Sequence, residues 1–177
     1  MRRQFAAIKK HPKSLIFLTI FLLWLMAPES PAIPVQGATA SSWNKDTFWY
    51  APWGRSGVHK GIDIFASIGT PVIAPTYGLV LFRGEISMGG KVVAVLGPKW
   101  RIHYFAHLSD IDVYPGMPVR SGTLLGRVGD TGNARGKPPH LHYSIVTAIP
   151  YPWLIDDSEQ GWKKMFYLDP GKILVPR

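Results

Sequence analysis

HLHYSIV, residues His140–Val146, alternates imidazole or small side chains with apolar ones at a period of two. That period is the signature of a β-strand packed on one face. His140 and His142 then project from the same face, their roots about 7 Å apart at ~3.3 Å per residue. Leu141, Tyr143 and Ile145 turn to the packed face. Two imidazoles on one strand can both reach a metal, or one can bind it while the other meets substrate.

Working outward, other short runs have the same character. Gly78–Arg83 (GLVLFR), Lys91–Leu96 (KVVAVL) and Arg101–Ala106 (RIHYFA) read as strands, and Thr123–Val128 as a shorter one. Eighteen glycines and sixteen prolines lie scattered along the 177 residues and break the chain into turns and short strands. No stretch after Trp43 has a helical period with caps at both ends. The expected class is mostly β, with an antiparallel sheet in a domain spanning 43–177. No internal repeat of fixed period is present.

A second constellation lies at His59-Lys60-Gly61-Ile62-Asp63. The four-residue offset puts His59 and Asp63 on one side of a strand or of a helix. Gly61 between them leaves room for a metal or a neighbouring backbone. The chain has no cysteine, so thiolate sites and disulfides are excluded, and a metal must be held by nitrogen and oxygen. His59, Asp63 and one of His140 or His142 make three ligands from two separated segments. Three protein ligands leave the fourth tetrahedral position of a zinc ion to water, the arrangement of a catalytic site. Either pattern alone is commonly a pair of unligated side chains. Both together, with His103 and His107 on a further strand, point to a metal site.

The N-terminus reads as a targeting segment. Basic residues through Lys13 precede the apolar run Leu15–Ala27, LIFLTIFLLWLMA. As a helix this run is roughly 20 Å long, against about 30 Å for a bilayer core. It suits a signal-peptide core better than a full span, and an uncleaved anchor also fits. Ser30-Pro31-Ala32 and Ala38-Thr39-Ala40 have small-x-small form for cleavage. The expected organisation is a signal peptide or membrane anchor over 1–27, a linker over 28–42 rich in Pro, Ala, Ser and Thr, and the domain after it. The rest of the chain would then be exported, to the periplasm or the cell exterior.

The formal net charge is +9, and after Ala40 there are 15 Lys and Arg against 10 Asp and Glu. This excess favours an anionic partner such as a wall polymer or a lipid surface. There is no basic run and no nucleic-acid motif, so nucleic acid is not an expected partner.

Five segments in the right order resemble the LytM/lysostaphin-type zinc metallopeptidases, the M23 peptidases. They are HKGIDI at His59–Ile64, GTPVIAP at Gly69–Pro75, FAHLS at Phe105–Ser109, GMPVRSGTLLGRVGDTGNA at Gly116–Ala134 and PPHLHYSI at Pro138–Ile145. The resemblance implies an antiparallel groove domain of duplicated hybrid motif-like type. It implies zinc held by His59, Asp63 and His142, with His107 and His140 as the catalytic histidines. It implies an endopeptidase acting on peptide cross-links of peptidoglycan. His103, placed by alternation on the same face as His107, lies outside the family's AHLS context and is expected to be packed or solvated.

Two departures matter. Ser144 stands where the family often has an acidic residue, so a carboxylate supporting the metal site from there is lost. The loop GNARGKPP is longer than the common form, and its Arg135 and Lys137 could meet an acidic substrate or simply be solvated. Residues 147–177 are expected to pack on the domain or edge the groove. Three alternative readings remain from sequence. One is a non-catalytic relative that regulates other wall hydrolases. Another is a carrier domain, for which no modifiable lysine context is present. The last is a wall-binding module using Trp43, Trp49, Tyr50 and Trp53 as stacking platforms.

Overall fold

The structure, a computed structural model, describes residues 12–174. Among them one antiparallel sheet dominates. Its strands are β1 (Ile62–Phe65), β2 (Pro71–Ile73), β3 (Gly78–Ile86), β4 (Gly90–Leu96), β5 (Arg101–Ile111), β6 (Pro118–Val119), β7 (Leu124–Val128), β8 (His140–Thr147) and β9 (Tyr167–Leu168). The main path runs β1-β8-β5-β4-β3-β6, with β2 on β7, β7 on β5 and β9 on β8. The runs expected at 78–83, 91–96, 101–106, 123–128 and 140–146 are all strands, and β5 continues five residues further than its apolar run.

The core lies where the inward faces of these strands meet. Ile62 and Ile64 of β1, Val93 and Val95 of β4, and Leu141, Tyr143 and Ile145 of β8 are buried together with Phe105 and Leu125. At ~25 cal/mol per Å² of apolar surface, such fully buried side chains contribute roughly 1.5–3 kcal/mol each before the cost of ordering them. The alternation of HLHYSIV is thus realised, with Leu141, Tyr143 and Ile145 on the packed face.

β5 changes partner along its length. Arg101–Ala106 pairs with β8, whereas Leu108–Ile111 pairs with β7. On its other edge the register against β4 shifts between Val93↔Phe105 and Lys91↔Leu108, which inserts one extra residue into β5. His107 lies inside that bulge with φ 65°, a left-handed conformation uncommon for a residue with a side chain.

The segment expected as a linker over 28–42 does not behave as one. Ile33 and Val35 belong to the core, and Val35 pairs with Val72 of β2. Backbone bonds from Ala32 N to Pro75 O (3.0 Å), Ile73 N to Pro34 O (2.8 Å) and Gln36 N to Pro71 O (3.0 Å) fasten it along β2. The Pro-rich composition that looks like a spacer suits an edge segment, because proline fits where few ladder bonds are made. The packed unit therefore begins before Trp43.

The apolar run forms helix α1 (Pro12–Met26). Its C-terminal part rests on the turn at Pro98–Trp100. Trp24 Nε1 donates to Gly97 O (2.7 Å), Trp100 Nε1 donates to Phe21 O (3.2 Å), and Phe21 stacks on Trp100. The large apolar side chains around the rest of α1, among them Leu15, Phe17, Leu23 and Met26, are exposed. No helix among the described residues is long and apolar enough to cross a membrane. The basic residues 1–11 expected in the targeting segment lie outside the described residues. At the other end, Leu168 of β9 and Leu174, after helix α2 (Pro170–Ile173), join the core, so residues 147–174 pack on the domain.

Candidate metal centre and groove

Asp63 and His142 are directly opposed in the β1–β8 register, so their side chains share one face. His59 reaches the same point from the turn before β1. Its Nε2 lies 3.0 Å from Asp63 Oδ1 and 3.1 Å from His142 Nδ1, while His142 Nδ1 lies 2.8 Å from Asp63 Oδ1. The residues' own alternation left His140 and His142 equivalent, and the register distinguishes them. His140 sits opposite Phe65, and its Nε2 is 3.9 Å from Asp63 Oδ2.

The outer hydrogen bonds fix what these atoms can do. His59 Nδ1 lies 3.0 Å from Thr47 O and donates to it, leaving Nε2 as an acceptor. His142 Nε2 lies 3.0 Å from Ser144 Oγ, which itself donates to Lys60 O at 2.7 Å. A hydroxyl that donates to a carbonyl accepts from the imidazole, so His142 also presents a bare nitrogen, Nδ1. Three acceptors, two imidazole nitrogens and a carboxylate oxygen, converge with no hydrogen of their own. A proton or a cation must lie among them. Tetrahedral zinc with ligands at ~2.0–2.1 Å holds neighbouring ligand atoms about 3.3 Å apart. The observed triangle needs only small outward shifts to accept it, and the donor set suits zinc.

The carboxylate expected to be lost at Ser144 is absent, but the position still supports His142. A hydroxyl takes the position of the absent carboxylate, orients the ring and donates its own hydrogen bond to Lys60 O in the turn before β1. Trp53 adds a second constraint by stacking on the His59 ring, with centroids 4.2 Å apart.

The charge states follow from burial and these contacts. Burial pushes the Asp63 carboxyl up, but when a proton occupies the triangle, the hydrogen bonds and charge it gives His142 and His59 outweigh burial and hold Asp63 ionised well below the usual carboxylate range. Burial lowers the His142 pKa in spite of Asp63, which favours the neutral ring that a metal needs.

Beside the triangle lie the two remaining histidines. His107 and His140 have ring centroids 5.0 Å apart. His107 Nδ1 donates to Thr131 O (2.9 Å) and His140 Nδ1 donates to Pro138 O (2.8 Å), so each offers Nε2 to the groove. Burial, followed by the nearby His142, lowers the His107 pKa to about 4, which keeps the ring neutral near pH 7. All five residues line one open groove of about 500 Å³, walled by Trp53, Phe65, Met88 and the Asn133–Pro138 loop.

His103 does not accompany His107. It is fully buried behind the sheet, its Nδ1 2.6 Å from the Tyr143 hydroxyl. The alternation argument fails because the bulge at His107 reverses the faces after Ala106. The same reversal hid Tyr104, which lies on the groove face opposite Ser144 and within 6.4 Å of the His142 ring. Burial raises its pKa to about 12, so it is a neutral phenol and a hydrogen-bond donor. Alternation along RIHYFA groups Tyr104 with Ile102 and Ala106, so no signal in the run itself marked it as a groove residue. Of the aromatic residues considered as stacking platforms, Trp43 and Trp49 are buried, Tyr50 is exposed and Trp53 is a groove wall. Lys137 lines the groove, whereas Arg135 is exposed outside it.

Known proteins resemble this chain in sequence and fold. The model of peptidase family M23 matches residues 57–151, more than half of the chain. The L-Ala–D-Glu endopeptidase of Bacillus subtilis is 33% identical over 130 residues, covering 65% of this chain and 38% of that protein. The chain thus spans well under half the length of this relative. The catalytic domain of lysostaphin from Staphylococcus simulans superposes with a TM-score of 0.52 at 28% identity, over 68% of this chain and 82% of that one. A zinc-containing peptidase from Vibrio cholerae superposes with a TM-score of 0.51 at 25% identity, over 65% of this chain and 35% of that one. With the family model matching over half of the chain and the fold in agreement, the chain belongs to peptidase family M23.

Proposed function

We propose that this protein is a zinc-dependent endopeptidase that hydrolyses peptide cross-links of peptidoglycan. One observation carries the reading: three proton-free acceptors of His59, Asp63 and His142 converge beside two further histidines in a single groove. Zinc held there supplies a Lewis acid for the scissile carbonyl and a water acidic enough to ionise near neutral pH. His107, kept neutral, takes or positions a proton at Nε2, and His140 completes the pair from the facing strand. Their Nδ1 bonds to Thr131 O and Pro138 O fix both tautomers before substrate arrives. The Tyr104 hydroxyl, which lines the groove, is a hydrogen-bond donor suited to a developing oxyanion. Trp53 and Phe65 line the groove and offer apolar walls to a bound peptide.

Relatives named as an L-Ala–D-Glu endopeptidase, a peptidoglycan DD-endopeptidase and an antimicrobial peptidase support the substrate class. The exposed apolar surface of α1 and the basic residues before it support an exported protein held at a membrane, acting in the periplasm or outside the cell. The test is digestion of cross-linked peptidoglycan by the full chain with and without a zinc chelator, with products identified by mass spectrometry. Chelator-sensitive loss of cross-linked species is expected. No cleavage by a chain that holds one zinc sinks the reading.

A further inference from the structure

Glu29 follows the apolar helix in the chain, yet its side chain is fully buried. One carboxylate oxygen pairs with the Arg101 guanidinium and the other lies 3.0 Å from His103 Nε2. His103 Nδ1 in turn meets the Tyr143 hydroxyl at 2.6 Å. His103 and Tyr143 are both fully buried. A chain of hydrogen bonds therefore runs from the N-terminal segment through the back of β5 to the residue flanked by His142 and Ser144. A buried carboxylate is tolerated only where ion pairs and hydrogen bonds replace its water, and this one has both.

We propose that Glu29 is a positioning residue for the metal centre, and that residues 28–36 are a working part of the peptidase. The inference rests on the zinc-site reading above. On the groove face β8 is held by Ser144 Oγ, which joins His142 Nε2 to Lys60 O. On the opposite face it is held by Tyr143 through His103 and Glu29. The two holds fix the rotation of β8 about its own axis, which sets where His142 Nδ1 points. Val35 on β2 and Ile33 in the core anchor the same segment further along. A cut after Ala32 would remove Glu29 and strand His103 and Arg101 in the interior. A cut after Ala40 would remove Ile33 and Val35 as well.

The test compares full-length wild type with Glu29→Gln, Tyr143→Phe, the double variant and Glu29→Ala. The readouts are the zinc dissociation constant, by competition with a chromophoric chelator well below each melting temperature, and the melting temperature itself. Each conservative single variant is expected to weaken zinc about tenfold, the usual effect of losing a partner behind a ligand. The double variant is expected to be no weaker than the poorer single, since both changes break one chain. A lower melting temperature with unchanged zinc affinity overturns the proposal and leaves Glu29 a packing residue. Weakening by Tyr143→Phe but not by Glu29→Gln removes Glu29 from the role. If Glu29→Ala does not fold, the two isosteric variants carry the test. Absence of zinc binding by wild type refutes the metal-site reading itself, which is a distinguishable failure.

Discussion

Replacing Gly61 by alanine should loosen the metal centre without touching a ligand. A Cβ at Gly61 would lie 2.5 Å from Tyr143 O, 2.5 Å from Ser144 Oγ and 3.0 Å from His142 Cε1. Ordinary contacts are 3.4–4 Å. The neighbours must therefore retreat by roughly an ångström, and the carbonyl cannot do so without moving the β8 backbone. Overpacking of this kind costs about 1–3 kcal/mol. For a chain of this length that is a fall in melting temperature of about 2–12 °C, at ~2–4 °C per kcal/mol. The displacement also pushes the turn before β1 away from β8, so it separates His59 from Asp63 and His142. Zinc affinity should fall about tenfold for each 1.4 kcal/mol of strain that the bound geometry has to carry. Differential scanning fluorimetry of zinc-free and zinc-loaded protein, with chelator competition for affinity, reads both effects. The zinc-loaded protein should lose more, because ligand stabilisation shrinks as the dissociation constant rises. A melting temperature within 1 °C of wild type and an affinity within about twofold would refute the close-packed β1–β8 geometry.

The other predictions concern the groove residues. His142→Ala should abolish stoichiometric zinc binding, whereas His107→Ala and His140→Ala should retain zinc and lower kcat by about 10²–10⁴, as measured by elemental analysis and steady-state kinetics. Ser144→Ala removes the acceptor behind His142 and should weaken zinc about 10–100-fold in chelator competition, with the fold intact by circular dichroism. The His107 pKa is lowered in the fold from its ordinary value to about 4, so between pH 6.5 and 4 the unfolded chain binds the extra proton. Its contribution to the stability of zinc-free protein is therefore present above pH 6.5 and lost as pH falls towards 4. His107→Gln should flatten the dependence of chemical-denaturation stability on pH across that window, and an unchanged slope would remove His107 as its source.

Local pattern made much of the sheet legible. HLHYSIV and KVVAVL carry their own faces, because side-chain direction in a strand depends only on parity. The spacing of His59, Gly61 and Asp63 pointed to side chains converging around a position that needs an absent Cβ, and His59, Asp63 and His142 do converge there. Parity is lost where a strand changes partner. At His107 the bulge and the left-handed φ arise where β5 leaves β8 for β7, a fact about pairing between residues distant in sequence. From RIHYFAHL alone, His103 and His107 look equivalent, and Tyr104 looks like core.

The same limit applies to residues 28–42, where composition indicates polar and Pro-rich chain but cannot show that Glu29, Ile33 and Val35 find buried partners. Ser144 is another case, since its value as a support for His142 depends on Lys60 O lying across the β1–β8 boundary. The sequence by itself determined the strand pattern, the cysteine-free donor set and the family's motif order, because each is written in neighbouring residues. The motif order implied His142 as the third ligand and His107 as the groove histidine; only the tertiary structure supplied the register and the bulge that put them there, and decided what braces β8 from behind. Those outcomes depend on register, bulges and buried pairing, all set between segments far apart in the chain.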